Sequence, residues 1–157
     1  MSTPTQTESL QLLLRHAQQQ RDQAQTALSR AGEMAEHARE QHTQLQQYRG
    51  EYQQRWSAQF AQGGTMEILM HYRSFMQRLD QAVSLQARQA ELAEAQREQA
   101  RAELLESERR VASVRKLLER RAAEQAMSQR QREQKQSDEQ AQRMRWRAAQ
   151  VDARNTQ

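Results

Sequence analysis

The sequence predicts an all-α protein: an antiparallel two-helix coiled-coil hairpin with an overhanging C-terminal helix. Three observations carry that expectation. Two long runs rich in Ala, Gln, Glu, Arg and Leu flank one glycine pair, Gly63-Gly64. Apolar residues recur in both runs at the seven-residue spacing that keeps one stripe against a partner helix. The two stripes also match each other when the chain folds back at the glycines.

Composition sets the frame. Hydrophobic residues make up 36% of the 157 residues and charged ones 28%, with four glycines and one proline. So few apolar side chains among so many helix formers describe a narrow seam, not a globular core. A disordered chain of this polarity has no regular apolar spacing, and this chain has one. There is no cysteine, so thiolate metal sites, disulfides and thiol nucleophiles are excluded. No apolar run approaches the roughly 20 residues of a membrane span, and the first residues lack the pattern of a secretory signal. A cytoplasmic protein is expected. The net charge is +4 and the only lysines are Lys116 and Lys135. Arg and Glu read as interspersed around the helices, which argues against nucleic acid as a partner.

In chain order, residues 1–8 are expected to form a flexible tail, with Thr7 or Ser9 able to cap the helix that follows. The first long helix is expected over residues 9–61. Its seam reads Leu10, Ala17, Ala24, Ala31, Ala38, Leu45 and Tyr52, joined four residues later each time by Leu14, Arg21, Leu28, Ala35, His42, Arg49 and Trp56. The alanines give little burial but allow close approach, and Arg21, His42 and Arg49 intrude as polar layers. Residues 62–65 form the hairpin turn, centred on Gly63 and Gly64. Glycine costs about 1 kcal/mol within a helix and reverses a chain readily, and Thr65 is a good N-cap. The second helix is expected over 66–149, followed by a flexible tail over 150–157. Its seam runs Leu69, Tyr72, Met76, Leu79, Val83, Gln86, Ala90, Ala93, Arg97, Ala100, Leu104, Ser107, Val111, Val114 and Leu118, then turns polar.

Facing residues of an antiparallel pair have numbers with a constant sum. Leu10 with Leu118, Ala24 with Leu104, Leu45 with Val83 and Trp56 with Tyr72 all add to 128, and half of that is Gly64. The second seam therefore ends where the first helix runs out, leaving 119–149 as an unpaired overhang. The same stripe could also pair between two chains, as in a coiled-coil scaffold or homodimer, with the glycines as a kink.

Chemistry is hard to place on such a chain. Coiled-coil surfaces offer no concave, water-excluding pocket, the four histidines show no zinc spacing, and Gly63-Gly64 lacks the Lys-Ser/Thr of a phosphate cradle. No catalytic residue, metal or cofactor is expected. His42 falls opposite Gln86, where a polar layer would fix register. The aromatics say more: Tyr48, Tyr52, Trp56, Phe60, Tyr72 and Phe75 cluster beside the turn, and only Trp146 lies elsewhere. Phe75, Leu79, Ala82 and Gln86 form a stripe at spacing four, three and four. An excess apolar face of that kind marks a protein-binding site, or else packs beneath a bent Phe60–Gly64 segment. Gly50 offers a place for a bend.

The stretches Leu45-Gln-Gln-Tyr-Arg-Gly-Glu-Tyr52, Gly63-Gly64 and Tyr72-Arg-Ser-Phe-Met-Gln-Arg-Leu-Asp-Gln-Ala-Val83 resemble the flagellar type III export family FliJ and its injectisome counterparts. Leu117-Leu-Glu-Arg-Arg121 and Gln134-Lys-Gln-Ser-Asp-Glu-Gln-Ala141 extend the likeness, which covers about residues 9–147. The resemblance implies a non-enzymatic stalk and adaptor similar to the central stalk of rotary ATPases. Its paired terminal end and overhang would enter the export ATPase hexamer, with Arg120, Arg121, Arg130 and Arg132 as candidate contacts. The face of Phe75, Leu79 and Ala82 would meet the membrane export gate protein. Gln86 stands where relatives can carry a histidine. The resemblance also implies escort of export chaperones and residence in the cytoplasm at the flagellar base, on the membrane only through partners.

Overall fold

The computed structural model describes residues 5–157; the expected tail lies outside the described residues as far as residue 4. Two α-helices make up the described chain, α1 over Gln6–Ala61 and α2 over Met66–Asn155, with no strand among the described residues. It divides into two compact units: Ala17–Arg110, and Met1–His16 with Val111–Gln157.

Helix boundaries follow local chemistry. Thr5 and Glu8 form a reciprocal capping box: the Glu8 amide donates to Thr5 Oγ1 at 3.3 Å, and the Thr5 amide to Glu8 Oε2 at 2.9 Å. This Thr-x-x-Glu arrangement satisfies two otherwise orphaned amides. It starts α1 at Gln6, ahead of the expected residue 9, and Thr7 and Ser9 become helical. At the other end α2 continues to Asn155 where a tail was expected from residue 150. No glycine or proline interrupts residues 150–155, Arg154 complements the dipole of the last turn, and Thr156 Oγ1 bonds the Asp152 carbonyl at 2.6 Å.

Within Ala17–Arg110 the two helices form an antiparallel hairpin. The reversal uses the positive φ of Gly63, 111°, a conformation that costs side-chain-bearing residues. A Cβ on Gly64 would lie 2.8 Å from Cδ1 of Phe60, so the ring fits because that residue has no side chain. Thr65 then caps α2, its Oγ1 accepting the Ile68 amide at 3.3 Å. Gly50 lies in unbroken helix with nothing within 4 Å of where its Cβ would stand, so α1 has no break there.

The buried residues of this unit are the seam. Ala17, Ala35, Met76, Leu79, Ala100 and Ser107 are 4–9% exposed, and the remaining seam positions from Arg21 to Trp56 and from Leu69 to Leu104 are half-buried. Contacts across it keep the expected register: Trp56 meets Tyr72, with numbers adding to 128, and Tyr52 meets Phe75. Because each seam is covered by the chain's own other helix, pairing between chains is not needed to bury it. Each seam leucine or valine contributes at most about 1.5–3 kcal/mol and each alanine much less, so stability comes from many thin layers.

The second unit is built on a shorter contact. Val111 and Val114 are 3% and 7% exposed, while Leu10, Leu14, Leu118 and Arg121 are half-buried. Gln125 Nε2 reaches Thr7 Oγ1 at 3.5 Å. From Ala122 to Gln157 every residue is exposed. The bare segment thus begins at Ala122, not at 119, because Leu118 and Arg121 still lie against the first turns of α1.

Candidate partner-binding surfaces

Six of the seven aromatics form one continuous cluster in Ala17–Arg110. Tyr52 is its hub, with ring centroids 4.4 Å from Phe75, 5.8 Å from Trp56, 6.1 Å from Tyr72 and 6.2 Å from Tyr48. Phe60 closes it over Trp56 and Tyr72 at 5.4 and 5.6 Å. Offset and edge contacts of this kind add roughly 0.5–1.5 kcal/mol each to the burial term. They hold the turn end rigid.

The stripe predicted to dock a partner divides between core and surface. Leu79 is 7% exposed and belongs to the seam, so it supports the face from beneath and offers little surface of its own. Phe75 is half-buried against Tyr52. Ala82 is exposed. Gln86 is half-buried and spends both hydrogens on α1, donating to the Ala38 carbonyl at 3.3 Å and to Gln41 Oε1 at 3.2 Å. The polar layer expected between His42 and Gln86 is therefore made by Gln86 with Ala38 and Gln41. About two turns away, Arg49 and Asp80 form an ion pair across the helices. The hydrogen bond that Arg49 donates to Asp80, and then the charge of that carboxylate, raises the Arg49 pKa above the ordinary guanidinium value.

Sequence reasoning missed the α1 side of this face. Gln41, Gln44, Leu45 and Tyr48 line a shallow groove with Gln86, and Tyr48 is 47% exposed. The signal was available: Gln41, Leu45 and Tyr48 recur at spacing four and three along one face of α1.

The other surface is the bare helix. Arg120, Arg130 and Arg132 are exposed and Arg121 half-buried. At about 100° per residue, Arg121 and Arg132 lie on one face of α2, whereas Arg120 and Arg130 point elsewhere. The segment keeps its helix through local bonds such as Gln129 to Glu133 at 3.4 Å. It displays Met127, Met144 and Trp146, each at least 65% exposed.

Among the described residues no group of three His, Cys, Asp or Glu could hold a metal ion. Nor is any helix long and apolar enough to cross a membrane. What the geometry defines is a two-helix coiled-coil protein with a rigid aromatic turn and a long exposed helix. The family model described as Flagellar FliJ protein matches residues 6–150, and the chain belongs to that family. No curated protein and no solved structure matches it. The family is a non-catalytic component of the flagellar protein export apparatus.

Proposed function

We propose that this protein is the stalk and adaptor of flagellar type III export, joining the export ATPase ring to the membrane export gate and escorting export chaperones. It acts in the cytoplasm and meets the membrane only through its partners. The observation that carries this reading is the segment from Ala122 to Asn155: a helix in which every residue is exposed, although Gln125 at its start reaches Thr7 of α1. Isolated helices gain most of their stability from packing, so a segment of this length finds its cover in a partner. A ring lumen would surround it on all sides. The face around Tyr48, Phe75 and Ala82, on the rigid aromatic cluster, suits the gate.

The test is co-purification of the full chain with the export ATPase hexamer. A stable complex supports the stalk reading, and failure of the two proteins to associate contradicts it. For the gate, Ala82→Arg is the informative variant because Ala82 is exposed, whereas Leu79→Ala would damage the seam. Ala82→Arg is expected to abolish capture of the gate's cytoplasmic domain with thermal stability unchanged.

A further inference from the structure

The bare helix sorts charges that look interspersed along the sequence. Arg121, Arg132, Arg143 and Arg154 are spaced by 11 residues. Eleven residues come to three helical turns within about 20°, so these four side chains follow one line that drifts by about 60° from Arg121 to Arg154. Steps of about 16 Å carry that line along about 50 Å of helix. Arg147, four residues after Arg143, lies beside it, and Glu139 is the one acid on that face. Glu124, Glu133, Asp138 and Asp152 fall on other faces, as do Arg130 and Arg145. Among the described residues, none of the five guanidiniums on this face has a carboxylate within 4.0 Å. Arg132, Arg143, Arg147 and Arg154 are exposed.

The period changes where the job changes. Up to Leu118 the apolar stripe repeats every seven residues, which suits a helix wound around its partner. From Arg121 the arginines repeat every 11, a period that drifts about 20° per repeat in the opposite sense and so suits a contact along one side of a helix no longer wound around α1.

We propose that this arginine line is a docking rail for an acidic, extended face of a partner protein, engaging Asp and Glu side chains along the length of the helix. Charge complementarity fixes the sign of the partner. Arginine presents a planar fork that binds carboxylates in bidentate fashion, and this side of the chain carries no lysine on the line itself. The residues between the arginines on this face, Gln125, Ser128, Gln136 and Gln150, are polar, and a single aromatic, Trp146, borders the line in a shallow groove with Glu139 and Arg143. The face therefore lacks the apolar stripe that would sink it into a lipid surface. The guanidiniums stand about 16 Å apart, too sparse to follow the closely spaced phosphates of one nucleic-acid strand. This inference rests on the stalk reading for the choice of protein as partner, with the export ATPase as the first candidate.

The experiment uses the full chain in three forms: unaltered, with Arg132→Gln, Arg143→Gln and Arg154→Gln together, and with the exposed off-line pair Arg115→Gln and Arg145→Gln. Circular dichroism checks that helix content is equal. Binding to the export ATPase and to poly-L-glutamate is measured across a salt series. The rail variant is expected to bind both at least about tenfold more weakly, with a shallower salt dependence, while the off-line pair stays close to the unaltered chain. Unaltered binding to the ATPase by the rail variant would overturn the rail and leave the stalk reading standing. Rail-dependent binding to poly-L-glutamate with no ATPase binding would do the reverse. Tighter, rail-dependent capture by phosphatidylserine vesicles or duplex DNA than by either acidic protein probe would assign the line to phosphates and overturn the proposal.

Discussion

The hairpin of Ala17–Arg110 and the bare helix after Arg121 are made from nearly the same amino acids, yet they use them in opposite ways. In the hairpin, the alanines, leucines and methionines that fall every three or four residues in the seam are covered, although Met34, Met70, Leu85 and Leu92 beside it are exposed, while arginine is kept to the flanks or answered, as Arg49 is by Asp80. In the bare helix, methionine, tryptophan and valine are exposed and arginine holds the regular spacing. The difference teaches that composition decides helix here, and that spacing decides what a helix face is for.

The comparison breaks most easily at a buried seam residue. Leu79→Ala is expected to cost about 2–3 kcal/mol, read as a lower midpoint in thermal or urea unfolding. Met144→Ala, the same kind of truncation on the bare helix, should stay within about 0.5 kcal/mol. Equal losses at the two sites would show that the bare helix is packed in the free protein. Next in size is Gly63→Ala, which forces a side chain into a positive-φ position and should cost about 1–2 kcal/mol. Thr5→Ala removes a cap, worth about 1 kcal/mol. Smallest is Gln86→Ala, which leaves the Ala38 carbonyl with only its helical partner. It should lower stability by about 0.5–1 kcal/mol, and Gln86→Leu should match or exceed the unaltered chain while loosening register. A double-cysteine cross-linking series across positions 38 and 86 would read that loosening as additional cross-linked species.

Much of this fold was legible in the residues. Every predicted seam position from Leu10 to Trp56 and from Leu69 to Leu118 is buried or half-buried. A heptad stripe is a physical requirement of two-helix packing, so it must be written in the sequence. The start of α1 is less legible, because the first apolar residue, Leu10, has cap-forming Thr7 and Ser9 beside it. The capping box stands earlier, and its Glu8 was read as tail. The docking stripe was less legible. Leu79 satisfies the heptad and the apolar face at once, and spacing alone does not say which face is covered. Tyr48 required pairing two distant segments position by position. The arginine line escaped notice because a count of charges around the helices averages over faces, whereas the 11-residue period separates them.

The central claim of the proposal is that the helix from Ala122 to Asn155, and not the hairpin of Ala17–Arg110, is the element that recognises the ATPase. Amide hydrogen exchange on the full chain, alone and with the export ATPase, tests it most directly. Alone, amides of Ala17–Arg110 should exchange slowly and those after Ala122 rapidly, because exposed helix opens locally with little cost. With the ATPase, protection should rise strongly after Ala122 and change little in the hairpin. Protection that rises within Ala17–Arg110 while the segment after Ala122 stays fast would contradict the account.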